Sequence, residues 1–179
     1  MFTLPVSETV SLKLLEQEDA AKIFFLVNDS RDHLREWLPW VDGALSPESY
    51  RPVVEMWLKQ FAEHNGFQVG ILYKGELAGM IGFHKIDWIN KTTSLGYWIG
   101  DRFQGHGIMT DSVRAMINYA FTTYKLNRIE IRCGVENVKS RAIPERLGFQ
   151  LEGIQRDGEF LYDHFHDLAV YSILARDWN

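Results

Sequence analysis

Two glycines at the start of a predicted helix are the residues of this sequence best suited to chemistry. Gly105 and Gly107 follow a strand pattern and precede a run in which apolar residues recur at helical spacing. Because glycine lacks a Cβ, its backbone can approach a ligand closely, and a helix start adds unpaired N–H donors with a positive potential. A phosphate or pyrophosphate fits such a site. The same pair also occurs where a chain only turns into a helix, and both interpretations stay open here.

The flanking patterns predict the elements that position this turn. Residues 92–99 place Leu95, Tyr97 and Ile99 on one face, and residues 128–135 alternate apolar with charged side chains. Both patterns are typical of strands, and the single helix between them indicates parallel strands joined by a right-handed crossover. If the two strands diverge at their C-terminal ends, each exposes unpaired backbone groups that a ligand can use as an added strand would.

The rest of the chain shows further strands and helices, with no linker, repeat or low-complexity stretch. Ser46-Pro47 is typical of a helix start, and Lys74-Gly75-Glu76 is typical of a hairpin turn. We therefore predict a single domain over residues 1–179. The additional predicted elements are strands at 9–15, 67–73 and 77–86, helices after residues 16, 46 and 137 and at 31–38, and a last antiparallel pair at 149–156 and 165–175.

Charge and cysteine content favour some classes of partner over others. The chain has 19 basic and 24 acidic residues, a formal net charge of −5, which disfavours nucleic acid because phosphate neutralisation needs a basic face. We expect no direct nucleic-acid partner, and the acidic balance suits a cationic amine. The sequence shows no signal peptide and no apolar run long enough for a bilayer, so we expect no membrane partner. The single Cys133 fits a reducing compartment, which predicts a cytoplasmic location.

The glycine loop admits a second interpretation as a nucleotide site. Gly105-x-Gly107-x-x-Thr110 is similar to a dinucleotide-binding fingerprint that lacks its third glycine. That fingerprint needs a longer run of strand–helix units and an acidic residue at the end of the next strand. The sequence shows neither feature.

The loop and several other motifs match a known superfamily better. Gln104-Gly105-His106-Gly107-Ile108-Met109 resembles its pyrophosphate loop, Gln/Arg-x-x-Gly-x-Gly/Ala, with Met109 departing at the last position. Asn137-x-x-Ser140 and Glu145-Arg146-Leu147-Gly148-Phe149 look like its second coenzyme A segment. The superfamily is that of the GCN5-related N-acetyltransferases (GNAT). Trp37-Leu38-Pro39-Trp40 and Leu151-Glu152-Gly153 are similar to its RimJ/RimL branch, whose members acetylate the N-terminal amine of ribosomal proteins.

This resemblance implies an α+β fold with a mixed, twisted sheet of about seven strands and helices on both faces. It implies acetyl-CoA as co-substrate and direct acetyl transfer to a primary amine, foremost the N-terminal amine of a ribosomal protein, and it suggests a homodimer. A polyamine or amino-sugar acetyltransferase and a non-enzymatic sensor of coenzyme A are the alternatives. The residues implied to bind acetyl-CoA are Tyr97, Trp98, Ile99, Gln104, Gly105, His106, Gly107, Ile108, Met109, Thr110 and Asn137.

The resemblance also implies roles for two polar side chains. Many members protonate the departing thiolate with a tyrosine, but Pro144 occupies that position here, and Ser140 corresponds to the RimJ/RimL candidate. Glu159 corresponds to a glutamate that faces the acceptor amine, and we expect it in a polar loop at 157–164 between the last two strands. It would take the proton of the amine, directly or through water. An ordinary helix serine and a solvated loop glutamate are the alternative interpretations.

Tryptophan, histidine and cysteine complete the candidate site. Trp37 and Trp40 would form an apolar wall for the acceptor, or else anchor their loop in the core. His164 and His166, with aspartates beside them, fit no closed metal-site spacing, and we predict no metal. A backbone N–H near Trp98 or Ile99 would stabilise the developing oxyanion. Cys133 lies within a strand without an evident base, so no covalent intermediate is expected.

Overall fold

The computed structural model describes residues 2–179, which form one eight-stranded sheet and five α-helices. The apolar periodicities account for most of these elements, and short 3-10 turns connect several of them. The strands are β1 Thr3–Pro5, β2 Val10–Leu14, β3 Phe67–Tyr73, β4 Glu76–Phe83, β5 Thr92–Ile99, β6 Arg128–Gly134, β7 Gln150–Leu161 and β8 His164–Leu174. The helices are α1 Ala20–Asp29, α2 Arg31–Arg35, α3 Arg51–Ala62, α4 Ile108–Thr122 and α5 Val138–Arg146.

The strand order is β1-β2-β3-β4-β5-β6-β8-β7, and the predicted parallel pair is confirmed as β5 and β6. The sheet has eight strands, one more than the predicted number of about seven. The additional strand is β1, a three-residue segment that pairs antiparallel with β2 and is exposed along its length. Its residues include Pro5 and are too few to show an alternating pattern, so local sequence carries no signal for it.

Helices cover both faces of the sheet, as the sequence predicted. On one face Phe67 of β3 contacts Tyr119 of α4, with ring centroids 5.7 Å apart. Gly70 points to the opposite face because it lies three residues further along the same strand. Its partner in the neighbouring strand is Lys13, which bonds Asp19 at the start of α1 on that face. The buried apolar residues thus form layers above and below the central strands.

The parallel strands β5 and β6 separate after a short paired stretch. Only Thr92 to Ser94 pair with β6. Beyond that point Leu95 to Ile99 stay paired with β4, and Ile131 to Gly134 stay paired with β8. The two edges that face each other are therefore left without a strand partner between them. This wedge in the middle of the sheet is the divergence that the sequence analysis named as a condition for ligand binding.

The hairpin of β7 and β8 is longer and tighter than predicted. The expected polar loop at 157–164 was wrong, because β7 continues to Leu161 and β8 begins at His164. The turn consists of Tyr162 and Asp163, with Tyr162 in the left-handed region at φ 60°. Glu159 therefore lies within a strand, opposite His166, and not in a solvated loop. A register shift between Gln155 and Glu159 interrupts the alternation that would have marked a continuous strand.

The segment between α2 and α3 is fastened by one arginine. Arg31 donates to the backbone carbonyls of Val41 and Ala44, at 2.8 and 2.7 Å. The helix predicted at 31–38 ends at Arg35, and the chain then turns over the end of the sheet. Among residues 2–179, no helix combines the length and apolar character that crossing a membrane requires.

Candidate active site

A cavity of about 410 Å³ adjoins the wedge at residues 97–99 of β5. Its walls come from β5, the glycine loop, α4, α5 and the segment that includes α2. Its lining residues are His33, Leu34, Glu36, Trp37, Leu38, Tyr97, Trp98, Ile99, Gln104, Met109, Glu136, Asn137, Val138, Lys139, Ser140 and Ile143. Eight of the residues predicted from the sequence are in that set: Trp37, Tyr97, Trp98, Ile99, Gln104, Met109, Asn137 and Ser140.

The glycine loop presents backbone to open space. Gly105 and Gly107 have φ angles of 80° and 74°, in the left-handed region that glycine adopts without strain. A Cβ built on either glycine would meet no atom within 4 Å. Gly107 is the N-cap of α4, so the N–H groups of Ile108 to Thr110 lie in its first turn, where the helix supplies no acceptor. The loop thus combines free donors, a positive helix end and room for a ligand.

Three predicted loop residues do not line the cavity with their side chains. Ile108 and Thr110 are buried, and Arg146 of α5 donates to the Thr110 hydroxyl at 2.7 Å. His106 stacks on Tyr73 of β3, with ring centroids 5.7 Å apart. The buried side chains of Ile108 and Thr110 leave only the backbone groups of these two residues to a ligand.

A cation that the sequence analysis missed lies beside the loop. Lys139 Nζ, on α5, donates to Gln104 Oε1 at 3.0 Å. Gln104 in turn donates from its amide nitrogen to Asp101 Oδ1 at 2.6 Å. The ammonium group is therefore held at the end of the cavity that carries the helix N-terminus.

Two backbone N–H groups of β5 face the cleft. Gly100 N–H donates to the Ala78 carbonyl, and the Ser94 carbonyl accepts from His84 N–H, so the even-numbered residues bond toward β4. Because bonding direction alternates along an antiparallel ladder, the N–H groups of Tyr97 and Ile99 point away from β4 into the wedge. Of the two residues named for the oxyanion donor, the Ile99 N–H points into the wedge, whereas the Trp98 N–H points toward β4.

Ser140 lies in the first turn of α5 and contacts Tyr97 of β5 and Cys133 of β6. Its N–H donates to Asn137 Oδ1 at 3.1 Å, which makes Asn137 the N-cap that the sequence predicted. The Ser140 hydroxyl donates to Cys133 Sγ at 3.3 Å. Burial raises the pKa of the Cys133 thiol, so the sulfur is protonated at neutral pH. A buried thiol in this state is a poor nucleophile, which agrees with the expectation of no covalent intermediate.

The two tryptophans take different places at the other end of the cavity. Trp37 lines it, whereas Trp40 lies outside and packs on Trp98, with ring centroids 5.8 Å apart. Trp40 is 39% exposed, so it is not a core anchor either. The Tyr162 hydroxyl donates to the Leu38 carbonyl, which joins the β7–β8 turn to the segment 37–40 that contains both tryptophans.

Glu159 and His166 form a pair, and neither residue lines the cavity. His166 Nε2 and Glu159 Oε2 are 2.8 Å apart, across the β7–β8 ladder. His164 instead contacts Asp163, with 2.7 Å between Nδ1 and Oδ1, so the two histidines serve different carboxylates. In the described part of the chain, no three His, Cys, Asp or Glu residues form a group that could hold a metal.

The comparisons with known proteins agree with this geometry. Residues 10–150 match the family described as the acetyltransferase (GNAT) domain. The chain belongs to the GNAT acetyltransferases. It is 42% identical over 179 residues to the putative ribosomal N-acetyltransferase YdaF of Bacillus subtilis, covering 99% of this chain and 98% of the relative. It is 31% identical to the ribosomal-protein-serine acetyltransferase of Escherichia coli, with 95% of each chain covered.

A solved structure extends the likeness to a coenzyme A complex. The structure of RimL, a ribosomal L7/L12 alpha-N-protein acetyltransferase, in complex with coenzyme A superimposes on this chain. The TM-score is 0.93 and the sequence identity is 29%. The match covers 97% of this chain and 98% of RimL. This GNAT protein is thus an N-acetyltransferase of the RimJ/RimL branch, and the expected enzyme class and fold are confirmed.

Two site features of this GNAT enzyme escaped the sequence analysis for different reasons. The two-residue turn at Tyr162-Asp163 places Glu159 opposite His166. The polar residues from 157 onward predict a loop instead, so the local sequence does not reveal this pairing. Lys139 carries no local signal, because a lysine in a first helical turn is ordinary. Only the packing of α5 against the loop shows its position.

Proposed function

We propose that this enzyme transfers an acetyl group from acetyl-CoA directly to the N-terminal amine of a protein, with ribosomal proteins as the substrate class. The observation that carries the proposal is the wedge between β5 and β6. Unpaired strand edges open there into a cavity that joins the glycine loop at one end to Trp37 at the other. A thioester-bearing arm and an amine can meet in a cavity that both the loop residue Gln104 and Trp37 line.

The residues present fit coenzyme A. Its pyrophosphate would accept hydrogen bonds from the N–H groups of residues 105–110, where two glycines leave open space and a helix begins. Lys139 would add a positive charge next to that site. The pantetheine arm contains amide groups that can pair with the free edge of Tyr97 to Ile99, as an added strand does. The cavity volume of about 410 Å³ lies in the usual range for small-molecule sites.

Direct transfer needs a base, an oxyanion donor and a proton source. Glu159 would take the proton of the acceptor ammonium, directly or through water. The lone pair of the amine nitrogen would then be free to attack the thioester carbon. The Ile99 N–H would donate to the oxygen on which negative charge develops. Ser140, a lining residue of the cavity, would give a proton to the departing thiolate sulfur. No enzyme-bound acyl group is required.

The acceptor end of the cavity suits a cationic amine. Glu36 and Trp37 are consecutive residues that both line the cavity, and Glu136 adds a second carboxylate to its lining. An ammonium is attracted by both kinds of group. The relatives named as ribosomal-protein acetyltransferases favour a protein N-terminus, whereas a small polyamine or amino sugar would satisfy the same charges.

Acetyl-CoA turnover with a panel of acceptors tests the proposal. The panel contains N-terminal peptides of ribosomal proteins, the same peptides with a blocked N-terminus, polyamines and aminoglycosides. We expect thioester cleavage with the free peptides and none with the blocked ones, because the α-amine is the only group that differs. Turnover confined to polyamines or aminoglycosides would replace the protein acceptor with a small molecule. Cleavage of acetyl-CoA without any acceptor would contradict amine transfer.

A further inference from the structure

The Glu159 carboxylate is bonded by one side chain of the neighbouring strand. Glu159 and His166 are direct cross-strand partners, and 2.8 Å separates Oε2 from Nε2. The Glu159 side chain is 35% exposed and the His166 side chain 14% exposed, so water reaches the carboxylate more easily than the imidazole. Within residues 2–179, Glu159 Oε1 has no hydrogen-bond partner. One carboxylate oxygen is therefore fixed while the other is available.

The imidazole itself is packed against a glycine and a tryptophan. A Cβ added to Gly134 would lie 3.1 Å from His166 Cε1 and 3.2 Å from Trp37 Cε3. Both rings therefore rest on the bare Cα of Gly134, at the end of β6. Gly134 has no positive φ, so backbone conformation does not require glycine there. Glycine is needed there because a Cβ would crowd the two rings.

Few charged groups surround this imidazole. Glu159 faces it from β7, and His164 of β8 lies with its ring centroid 6.4 Å away. Asp167, the next residue in β8, accepts instead from the Asp157 N–H at 2.8 Å. Gly134 and Trp37, which contact the ring from β6 and from the segment after α2, contribute no charge.

We propose that His166 is a positioning residue for the base Glu159, and that Gly134 is a glycine in order to admit it. The inference rests on the proposed role of Glu159. The Nε2–H group of His166 donates to Oε2, which orients the carboxylate and leaves Oε1 to accept the ammonium proton. That proton passes from the amine nitrogen to Oε1, and the nitrogen keeps the electron pair that attacks. No proton needs to cross the imidazole.

Two substitutions of His166 separate positioning from packing. His166→Leu keeps an apolar side chain between Gly134 and Trp37 but removes the donor, so kcat should fall roughly 10- to 100-fold, the value of one hydrogen bond to a charged group. His166→Gln keeps an N–H donor in the same direction and should recover most of kcat. The KM for acetyl-CoA should stay within about threefold of the parent value in both. Equal kcat losses in the two variants would overturn the proposal.

A double-mutant cycle tests whether His166 acts through Glu159. In a Glu159→Gln background, His166→Leu should lower kcat by less than about threefold further, because the carboxylate that it orients is gone. An undiminished loss in that background would show that the imidazole acts elsewhere. The single variant Glu159→Gln distinguishes the two levels of proposal. If it retains parental kcat and an unchanged pH profile, the assignment of the base fails. If it loses kcat while His166→Leu does not, only the positioning role fails.

Gly134→Ala provides an independent test in which neither Glu159 nor His166 is replaced. The added methyl would push the His166 and Trp37 rings by a few tenths of an ångström, which should lower kcat and shift its pH profile. Thermal unfolding and coenzyme A titration of the same variant should remain close to the parent. A parental kcat in a folded Gly134→Ala variant would mean that the ring position does not matter.

Discussion

The Tyr97 hydroxyl donates to the backbone carbonyl of Ser140 at 3.0 Å, joining β5 to the first turn of α5 across the wedge. Pro144 explains why that carbonyl is available. It lies four residues further along the helix, and proline has no N–H to bond back to Ser140. Burial raises the pKa of Tyr97 well above its ordinary value, so the phenol remains a donor at neutral pH. Pro144 thus leaves the Ser140 carbonyl free to accept from Tyr97.

Replacing Tyr97 should therefore destabilise the protein. Tyr97→Phe leaves the Ser140 carbonyl without its donor, at a cost of about 1–3 kcal/mol, or several degrees in Tm for a chain of this length. Tyr50→Phe is the matched control, because the buried Tyr50 hydroxyl has no partner within residues 2–179 and its loss should cost nothing. Thermal unfolding of both variants measures the difference. Equal Tm changes would mean that the Tyr97 bond contributes no net stability.

Ser140→Ala should slow the chemical step more than it weakens binding. We expect kcat to fall by roughly 100-fold, the lower end for an acid–base group, with coenzyme A affinity nearly unchanged. Cys133→Ala, which removes the sulfur that the Ser140 hydroxyl contacts, should lower kcat far less, because the proposed transfer does not use the thiol. Steady-state kinetics and calorimetric titration check both. A loss below threefold for Ser140→Ala would assign the proton to solvent or to another group.

The glycine loop should be more sensitive in binding than in folding. Gly107→Val and Gly75→Val place the same side chain at φ 74° and 83°, in both cases with no atom within 4 Å of the new Cβ. Both should therefore lose similar stability from backbone strain. Only Gly107→Val should weaken coenzyme A binding, by roughly 10²- to 10⁴-fold if two bonds to phosphate are lost. Calorimetry with coenzyme A decides the matter, and parental affinity in a folded Gly107→Val variant would reduce the loop to a helix start.

Trp37 and Trp40 should affect different kinetic constants. Trp37 lines the cavity, so Trp37→Ala should raise the acceptor KM about tenfold or more while the acetyl-CoA KM changes little. Trp40 touches the cavity only through Trp98, so Trp40→Ala should have a smaller effect that includes the acetyl-CoA KM. Kinetics with both substrates varied will separate the two. The reverse pattern would return the acceptor wall to Trp40.

Acid should remove the stability that Asp19 supplies. Burial by itself would raise the Asp19 pKa, but hydrogen bonds from Lys13, the Glu16 N–H and Lys22 lower it below the ordinary 3.8. A depressed folded-state pKa stabilises the protein above pH 4, and this contribution disappears as the pH falls through the folded value. At pH 7, Asp19→Asn should cost about 3–5 kcal/mol, because it leaves the buried Lys13 ammonium without its main partner.

Urea unfolding at pH 7, 4 and 3 measures this contribution. The gap between parent and Asp19→Asn should narrow below pH 4, whereas Glu63→Gln, which removes an exposed pair with Lys59, should change little at any pH. A gap that stays constant down to pH 3 would show that the ionisation of Asp19 is not the cause.

The sequence alone determined the elements whose signals are local. The glycines of the loop, the Asn137 cap and the two strands around α4 depend on conformational preferences and apolar periodicity within a few residues. The divergence of β5 and β6 could be named as a condition because a parallel pair has free edges wherever its partners separate. These local features predict the end of the cleft at which acetyl-CoA binding is proposed.

Only the tertiary structure decided which residues far apart in the chain meet around the cleft. Glu159 meets His166 through a turn whose length local polarity concealed, and His166 meets Gly134 because β6 and β8 pair in one register. Lys139 reaches Gln104 over a separation of 35 residues. Trp37 rather than Trp40 enters the cavity because of how the segment after α2 folds over β5. Such contacts join residues far apart in the chain, and pairing register and packing, which local preferences do not encode, select them.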